Sequence, residues 1–259
     1  MINFALGEWI MVGALLAGLG RHVLGLGAIG ALLFAGLGMI VLAACFNHLV
    51  VRHLVARPAI SAIMVTLGLG MIMRSVTPQL FANVPEMIPP SMQSVTVGEI
   101  IIATDKLVAA SIAVLCTAAI GAFYRYSRTG VALRAMADDP QAAMSAGIDT
   151  DRHLLFAWAL TGVVAVIAGV LWVSVAGSGF GLALVGLKVF PIVIIGGLDS
   201  IAGTIVAAIA IGVLESLGAG YLDERLGSGF GTIVPYFVLL VMLAVRPYGL
   251  FGRPRIERV

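Results

Sequence analysis

Charged residues are scarce in this chain. Only 11% of its 259 residues are Asp, Glu, Lys or Arg, 61% are hydrophobic, and the mean hydropathy is +1.11. Soluble domains carry about 25% charged and about 45–50% apolar residues, so this composition excludes an ordinary water-soluble protein. Because a helix needs roughly 20 apolar residues to cross a hydrocarbon core about 30 Å thick, the chain has room for about seven or eight crossings. We therefore expect an integral membrane protein.

Residues that carry chemistry are also few. The two cysteines, Cys45 and Cys116, lie inside apolar runs, and the four histidines lie near the predicted ends of membrane spans. These positions indicate neither a disulfide nor a metal site. The closest approach to a phosphate-binding loop, residues 181–188, has Leu187 after Gly186 where the Walker pattern requires lysine. We therefore expect no catalytic residue, no metal and no cofactor in this chain.

Apolar residues are abundant and form long continuous runs, which favour helices over the alternating strands of a membrane barrel. We predict an all-α polytopic transmembrane bundle of about eight membrane segments, forming one domain over residues 1–259. The predicted spans are residues 3–19, 26–50, 58 to 72 or 77, 107–123, 154–176, 182–195, 201–217 and 230–245. Pro191 falls in the short sixth segment, so we expect at least one interrupted helix. A polar, proline-containing loop is expected over residues 74–106.

One segment, the central loop (residues 124–153), is polar although both its neighbours are apolar. Of the 15 basic and 13 acidic residues in the chain, it holds Arg125, Arg128, Arg134, Asp138, Asp139, Asp149, Asp151 and Arg152. With eight crossings, the side of the membrane that carries this loop and the C-terminal tail has ten Lys and Arg residues, against five on the other side. Short cytoplasmic loops are enriched in Lys and Arg, so we expect the central loop and the C-terminus in the cytoplasm.

Local signals in the central loop predict a short helix. Asp139 before Pro140 is typical of an N-cap followed by proline at the first helical position, and Gly147 is typical of a left-handed C-cap. The two turns between these caps are too short to be stable alone, so the helix must dock on something. Its small side chains and one methionine offer a face for docking: Ala142, Ala143, Ala146, Gly147 and Met144. The residues leave two partners open, another subunit or the chain's own bundle.

Three ionisable residues, Glu8, Lys188 and Glu215, lie within predicted apolar segments. A charge inside a membrane span is by default a functional candidate. Glu8 is in the first turns of its helix, where stabilisation by the helix dipole accounts for an acidic side chain. Glu215 lies deeper in its span, and the pattern leaves a functional and a structural role open. Nothing in the sequence resembles a chain of buried carboxylates for proton coupling.

A weak internal repeat indicates where a path through the membrane could lie. Residues 3–7 read NFALG and residues 199–203 read DSIAG, and each places a capping residue before a helix with a glycine four positions on. Interrupted helices at corresponding positions point to a transport path near the bilayer midplane. We therefore expect Asn3, Gly7, Asp199 and Gly203 near a translocation path.

Several stretches of this sequence resemble a known family. Gln141, Ala142 and Ala143, followed after three residues by Gly147, resemble the EAA-x3-G coupling motif of bacterial ABC importer permeases. This chain resembles the LivH-type permease subunits of branched-chain amino acid importers more closely. Four stretches carry that resemblance: INFALGE, YSRTGVALRAMADDPQAAMSAGID, GGLDSIAGTI and GLFGRPRIERV. These four stretches follow one another in the same order, and the resemblance extends over essentially the whole chain.

The resemblance implies a membrane subunit without catalytic activity, in the bacterial inner membrane. Its implied partners are a second related permease subunit, two cytoplasmic ABC ATPase subunits that bind the ATP, a periplasmic substrate-binding protein and the lipid bilayer, with no nucleic acid. The central loop would then be the coupling loop to the ATPases. The residues that the resemblance assigns to this coupling loop are Arg128, Gly130, Arg134, Asp138, Asp139, Pro140, Gln141, Ala142, Ala143 and Gly147.

The sequence departs from the family pattern in three places. Gln141 stands where the coupling motif has Glu, and Leu6 stands where the family has His in an NFAHGE stretch. The family also has an apolar helix before the INFA stretch, so we expect the N-terminus to lack one family helix. Two other functional classes compete with an importer subunit: an ion- or proton-coupled secondary transporter and a membrane scaffold that transports nothing.

Overall fold

The computed structural model describes residues 3–54, 57–85, 94–97, 100–176, 180–198, 200–227, 229–246 and 249–252. This part of the chain forms ten α-helices: α1 (Leu6–Gly18), α2 (Ala28–Leu49), α3 (Ala59–Leu80), α4 (Thr104–Tyr126), α5 (Arg128–Asp138), α6 (Pro140–Ser145), α7 (Thr150–Ala176), α8 (Val185–Gly196), α9 (Ile201–Leu226) and α10 (Phe230–Val245). A short antiparallel hairpin, β1 (Val95–Val97) and β2 (Ile100–Ile102), lies between α3 and α4 in the chain.

Five of these helices, α2, α3, α4, α7 and α9, are long and apolar enough to cross a membrane. The helices α8 and α10 are shorter but apolar, and α1 is extended by a π-helical segment, Leu19–Val23. Together these are eight apolar helical segments in the described part of the chain. The predicted polytopic helical bundle is therefore confirmed, and the small hairpin is an addition to it.

Two details of the predicted spans are wrong. The helix α3 continues through Arg74 and Pro78 to Leu80, so the polar loop begins after residue 80 rather than at residue 74. Pro78 lies in the last turn, where a missing N–H costs a single backbone hydrogen bond. Pro191 likewise lies inside α8 rather than ending it. The irregular backbone of this segment lies earlier, in a 3-10 segment, Phe180–Leu184, that leads into α8.

Residues Met1–Gly186 form one compact unit, and its core surrounds α1. The helices α2 and α7 both pack on α1. Glycines allow a very close approach of α1 and α7, because a Cβ added at Gly169 would lie 2.5 Å from the carbonyl oxygen of Ile10. Three aromatic rings, those of Trp9, Phe46 and Trp158, fill the space where α1, α2 and α7 meet. Small residues at such crossings are the usual way for membrane helices to associate closely.

Residues Leu187–Val259 form the second compact unit, in which α9 packs on α10. Its core contains Ile195, Ala207 and Ile211. The turn between α8 and α9 is tight, because a Cβ at Gly196 would lie 2.5 Å from the backbone nitrogen of Thr204. Gly197 in the same turn has φ +102°, a left-handed conformation that favours glycine.

We predict that Gly169→Ala destabilises the first unit, because the new methyl group has no room beside the Ile10 carbonyl. Overpacking of this kind costs about 1–3 kcal/mol. The thermal unfolding midpoint of the purified protein in detergent measures the loss. Gly121→Ala is the matched control, since a Cβ at Gly121 of α4 meets nothing within 4 Å. Equal midpoints for the two variants would contradict the close crossing of α1 and α7.

Candidate functional site

The central loop folds into two helices, α5 and α6, between α4 and α7. The helix α5 begins after Ser127, whose Oγ accepts a hydrogen bond from the N–H of Gly130 at 2.9 Å. Gly130 lies in the corner between α4 and α5, where a Cβ would collide with the Phe123 carbonyl and would lie 2.7 Å from the Cα of Tyr124. Gly130 is therefore required by the turn that directs α5 away from the end of α4.

The helix α6 is capped at both ends, as the sequence predicts. At its start, Asp139 Oδ1 accepts hydrogen bonds from the N–H groups of Gln141 at 2.9 Å and Ala142 at 3.0 Å. Pro140 occupies the first helical position. At its end, Gly147 has φ +82°, and the N–H of Ile148 donates to the Ala143 carbonyl at 3.1 Å. The N-cap at Asp139 and the left-handed C-cap at Gly147 therefore stabilise a helix that is too short to be stable without them.

The two faces of α6 differ in exposure. Ala142, Met144, Ala146 and Gly147 are exposed, with Met144 41% accessible. Ala143 is only 4% accessible, so the expectation that it shares the outward docking face is wrong. Because α6 packs on α5, one alanine of the helix turns inward while its neighbours remain free for a partner. The sequence left open whether the helix docks on a partner or on its own bundle, and the structure shows that α6 packs on α5 of the same loop.

Charged and polar side chains of the central loop point away from the bundle. In α5, Gly130, Leu133 and Met136 are buried, which places a narrow apolar stripe against the bundle. The remaining residues that the sequence assigned to the coupling loop are exposed: Arg128, Arg134, Asp138, Asp139, Pro140 and Gln141. These side chains are therefore accessible in the central loop, and together with the exposed residues of α6 we call them the loop surface.

At the start of α1, Asn3 and Gly7 have different local roles. Asn3 Oδ1 accepts a hydrogen bond from the N–H of Ala5 at 3.0 Å, so it closes the turn before the helix rather than capping its first amides. Gly7 lies directly on the 3-10 segment, because a Cβ there would collide with the Ala183 carbonyl and would lie 2.9 Å from the nitrogen of Gly186. The bare backbone at Gly7 is what allows this contact.

At the start of α9, the cap is Ser200. Its Oγ accepts a hydrogen bond from the N–H of Gly203 at 3.0 Å. Asp199, which the repeat proposed as the capping residue, lies outside the described residues. Gly203 lies against the Gly196 carbonyl, in the tight turn between α8 and α9. In each unit the glycine of the repeat lies at a close backbone contact, but the match of capping positions fails at Asn3, because Ala5 is the residue before α1.

Two ion pairs between apolar helices were not predicted from the sequence. Glu8 Oε1 accepts from Arg74 Nη2 at 2.5 Å and from Arg74 Nε at 3.1 Å. Lys188 Nζ pairs with Glu215 Oε1 within the second unit. The sequence identified Glu8, Lys188 and Glu215 separately, and it placed Arg74 in a loop. The sequence did contain a signal for these pairs. A charge in a membrane span needs a partner, and residues of opposite charge are present in separate apolar helices.

Comparison with known proteins agrees with this architecture. The family model described as "Branched-chain amino acid transport system / permease component" matches residues 1–245. The permease protein LivH of the high-affinity branched-chain amino acid transport system of Salmonella typhimurium is 29% identical over 284 aligned residues, which cover 100% of this chain and 88% of that protein. LivH of Escherichia coli strain K12 is 28% identical with the same coverage. The permease protein BraD of Pseudomonas aeruginosa is 26% identical over 278 residues, again with 100% and 88% coverage.

No solved structure matches the chain. The family match nevertheless covers α1 to α10, including the capped helix α6 and both ion pairs. A bundle of apolar helices with one polar helical loop is what a membrane subunit of such a system requires. The chain therefore belongs to the family of permease components of branched-chain amino acid transport systems.

Proposed function

We propose that this chain is the membrane-spanning, non-catalytic permease subunit of an ABC importer for branched-chain or related amino acids. The observation that carries the proposal is the capped helix α6, which presents Ala142, Met144 and Ala146 from the loop surface of a polytopic bundle in this family. The exposed small side chains of α6 offer a face that a groove in a partner can receive. In an importer, that groove belongs to an ATPase subunit.

The loop surface suits a protein partner for electrostatic reasons as well. Arg128 and Arg134 lie on α5, while Asp138 and Asp139 lie at its end and at the start of α6. Charges of both signs around a small apolar centre favour one partner orientation over others. The proposed contact residues are those of the coupling loop named above, with Ala143 and Gly130 shaping the loop rather than touching the partner.

The proposed assembly contains a second related permease subunit, two cytoplasmic ATPase subunits and a periplasmic substrate-binding protein. The ATP binds to the ATPase subunits. In this assembly the chain lies in the bacterial inner membrane, with the central loop and the C-terminus in the cytoplasm, as the distribution of Lys and Arg predicts. The binding protein delivers the amino acid from the periplasm.

The proposed translocation path passes Asn3, Gly7, Asp199 and Gly203, of which Asp199 lies outside the described residues. Gly7 meets the 3-10 segment Phe180–Leu184, and Gly203 meets the turn after α8. Irregular backbone within a membrane is tolerated only where it is buried in protein or lines a cavity. Glycine at both places keeps the backbone carbonyls and amides close, which suits a path lined by backbone rather than by large side chains.

We predict that uptake requires ATP and the partner chains. Proteoliposomes that contain this chain, the second permease subunit and the ATPases should accumulate labelled leucine when binding protein and ATP are supplied. ATPase subunits unable to hydrolyse ATP provide the control. Uptake driven by an ion or proton gradient with the purified chain alone would contradict the proposal and would favour a secondary transporter.

We predict that a bulky residue on the outward face of α6 uncouples hydrolysis from transport. Ala142→Trp should lower ATP-driven uptake roughly tenfold, which corresponds to about 1.4 kcal/mol of lost docking, while insertion and thermal stability stay unchanged because Ala142 is exposed. Ala142→Ser is the matched control and should retain uptake. Equal uptake by the tryptophan and serine variants would show that the loop is only a connector.

A further prediction concerns the N-cap of α6. Asp139→Ala removes the acceptor of two amide hydrogen bonds, which costs about 1 kcal/mol and should speed hydrogen exchange at Gln141 and Ala142 about fivefold. Asp139→Asn should retain protection, because Asn is also a good N-cap. Asp151→Ala removes an equal charge from the same loop without touching α6, and it should leave these amides protected. Fast exchange in the Asp151 variant would argue against a local cap.

A further inference from the structure

The ion pair between α1 and α3 is asymmetric in exposure. The Glu8 side chain is only 4% accessible, whereas the Arg74 side chain is 52% accessible. The carboxylate of Glu8 is buried and so is held in one place. The guanidinium that pairs with it belongs to α3, 66 residues later in the chain. The cation therefore remains reachable after its acidic partner has been covered.

The geometry leaves one edge of the guanidinium free. Nε and Nη2 form the side edge, and both donate to the same carboxylate oxygen of Glu8, at 3.1 Å and 2.5 Å. A guanidinium has five N–H donors in a rigid plane, so both N–H groups of Nη1 and the second one of Nη2 remain. Within the part of the chain that the structure describes, Nη1 donates no hydrogen bond. This end edge has the spacing to bind a carboxylate through two parallel hydrogen bonds.

The pair lies beside the irregular backbone of the first unit. Glu8 follows Gly7, whose backbone contacts residues 183–186 at the end of the 3-10 segment. One turn before Arg74, Gly70 lets the Glu8 carboxylate lie close to α3, because a Cβ there would be 3.3 Å from Oε2. A charged pair in the membrane next to non-helical backbone is the arrangement that marks a substrate path.

We propose that Arg74, held in place by Glu8, binds the α-carboxylate of the transported amino acid during its passage. This inference rests on the proposed function and adds a recognition residue to it. Glu8 already neutralises Arg74, so an isolated anion would bring a net negative charge into the membrane. A zwitterionic amino acid is neutral overall and brings none. The site should therefore bind leucine but neither leucinamide nor 3-methylbutylamine, which both lack the carboxylate.

Two simpler roles predict different results. If the pair only fastens α1 to α3, any arrangement that keeps opposite charges at the two positions should suffice. If the free edge binds the headgroup of an anionic phospholipid, the thermal stability should depend on the lipid composition, and leucine binding should not depend on Arg74. Arg74→Lys separates the first role from the proposal, because lysine keeps the charge but lacks the planar edge. The double variant Glu8→Arg with Arg74→Glu keeps a pair while moving the cation to α1.

The test uses the assembled transporter in nanodiscs, without the binding protein, and measures equilibrium binding of labelled leucine. We expect Arg74→Lys and the exchanged pair each to weaken leucine binding about tenfold or more, the usual loss for a charge-assisted hydrogen-bond pair. Assembly and thermal stability of Arg74→Lys should stay close to wild type. Unlabelled leucine should compete, and leucinamide and 3-methylbutylamine should not.

Several outcomes would overturn the inference. Unchanged leucine binding in Arg74→Lys would make the pair structural, and this variant decides the matter even if the exchanged pair fails to assemble. Leucine binding that is unchanged in Arg74→Lys, together with a thermal stability that phosphatidylglycerol raises above phosphatidylcholine in the wild type but not in Arg74→Lys, would assign the free edge to an anionic lipid headgroup. Failure of the wild-type complex to transport with ATP would instead refute the proposed function, so the two failures are distinguishable.

Discussion

Contact between backbones, with no side chain between them, is the constraint on which the first unit depends. At Gly7 and Gly169 the main chain of one segment lies directly against a carbonyl of another. Burial of apolar side chains does not hold helices together inside a membrane, because lipid solvates these side chains as well as they solvate each other. Close contact between the backbones has to hold them instead. Close packing of α1 on α7 therefore fixes where the first turn of α1 lies. Glu8 in turn can meet Arg74 only because that first turn is held in place.

The loop surface depends on a different kind of constraint, which is local. Ser127, Asp139 and Gly147 each set the conformation of the few residues around them, through hydrogen bonds of 2.9–3.1 Å or through a left-handed φ. These signals require no distant partner. The ends of α5 and α6 are therefore set by the loop's own residues.

The sequence predicted the parts of the molecule that local or averaged information determines. Apolar runs located the membrane helices, and the spacing of Asp139, Pro140 and Gly147 located α6. It did not predict the partner of Glu8, because the two residues are 66 positions apart and the α1–α3 contact determines the pair. For the same reason it misjudged Ala143, whose burial depends on how α6 lies on α5. The family resemblance supplied the proposal that the loop couples to an ATPase, which no physical pattern in these residues could have supplied alone.

The inward-facing Ala143 has a mechanical consequence. A helix that touched the rest of the chain nowhere could pass no force to it, and a helix buried on every side could not bind a partner. With one methyl group fixed against the protein and the neighbouring side chains free, α6 can be pushed from outside and pass that displacement inward through α5, which contacts both α4 and α7. In the proposed importer, these two turns of helix would act as a short rigid arm, with α5 between the arm and the membrane helices α4 and α7.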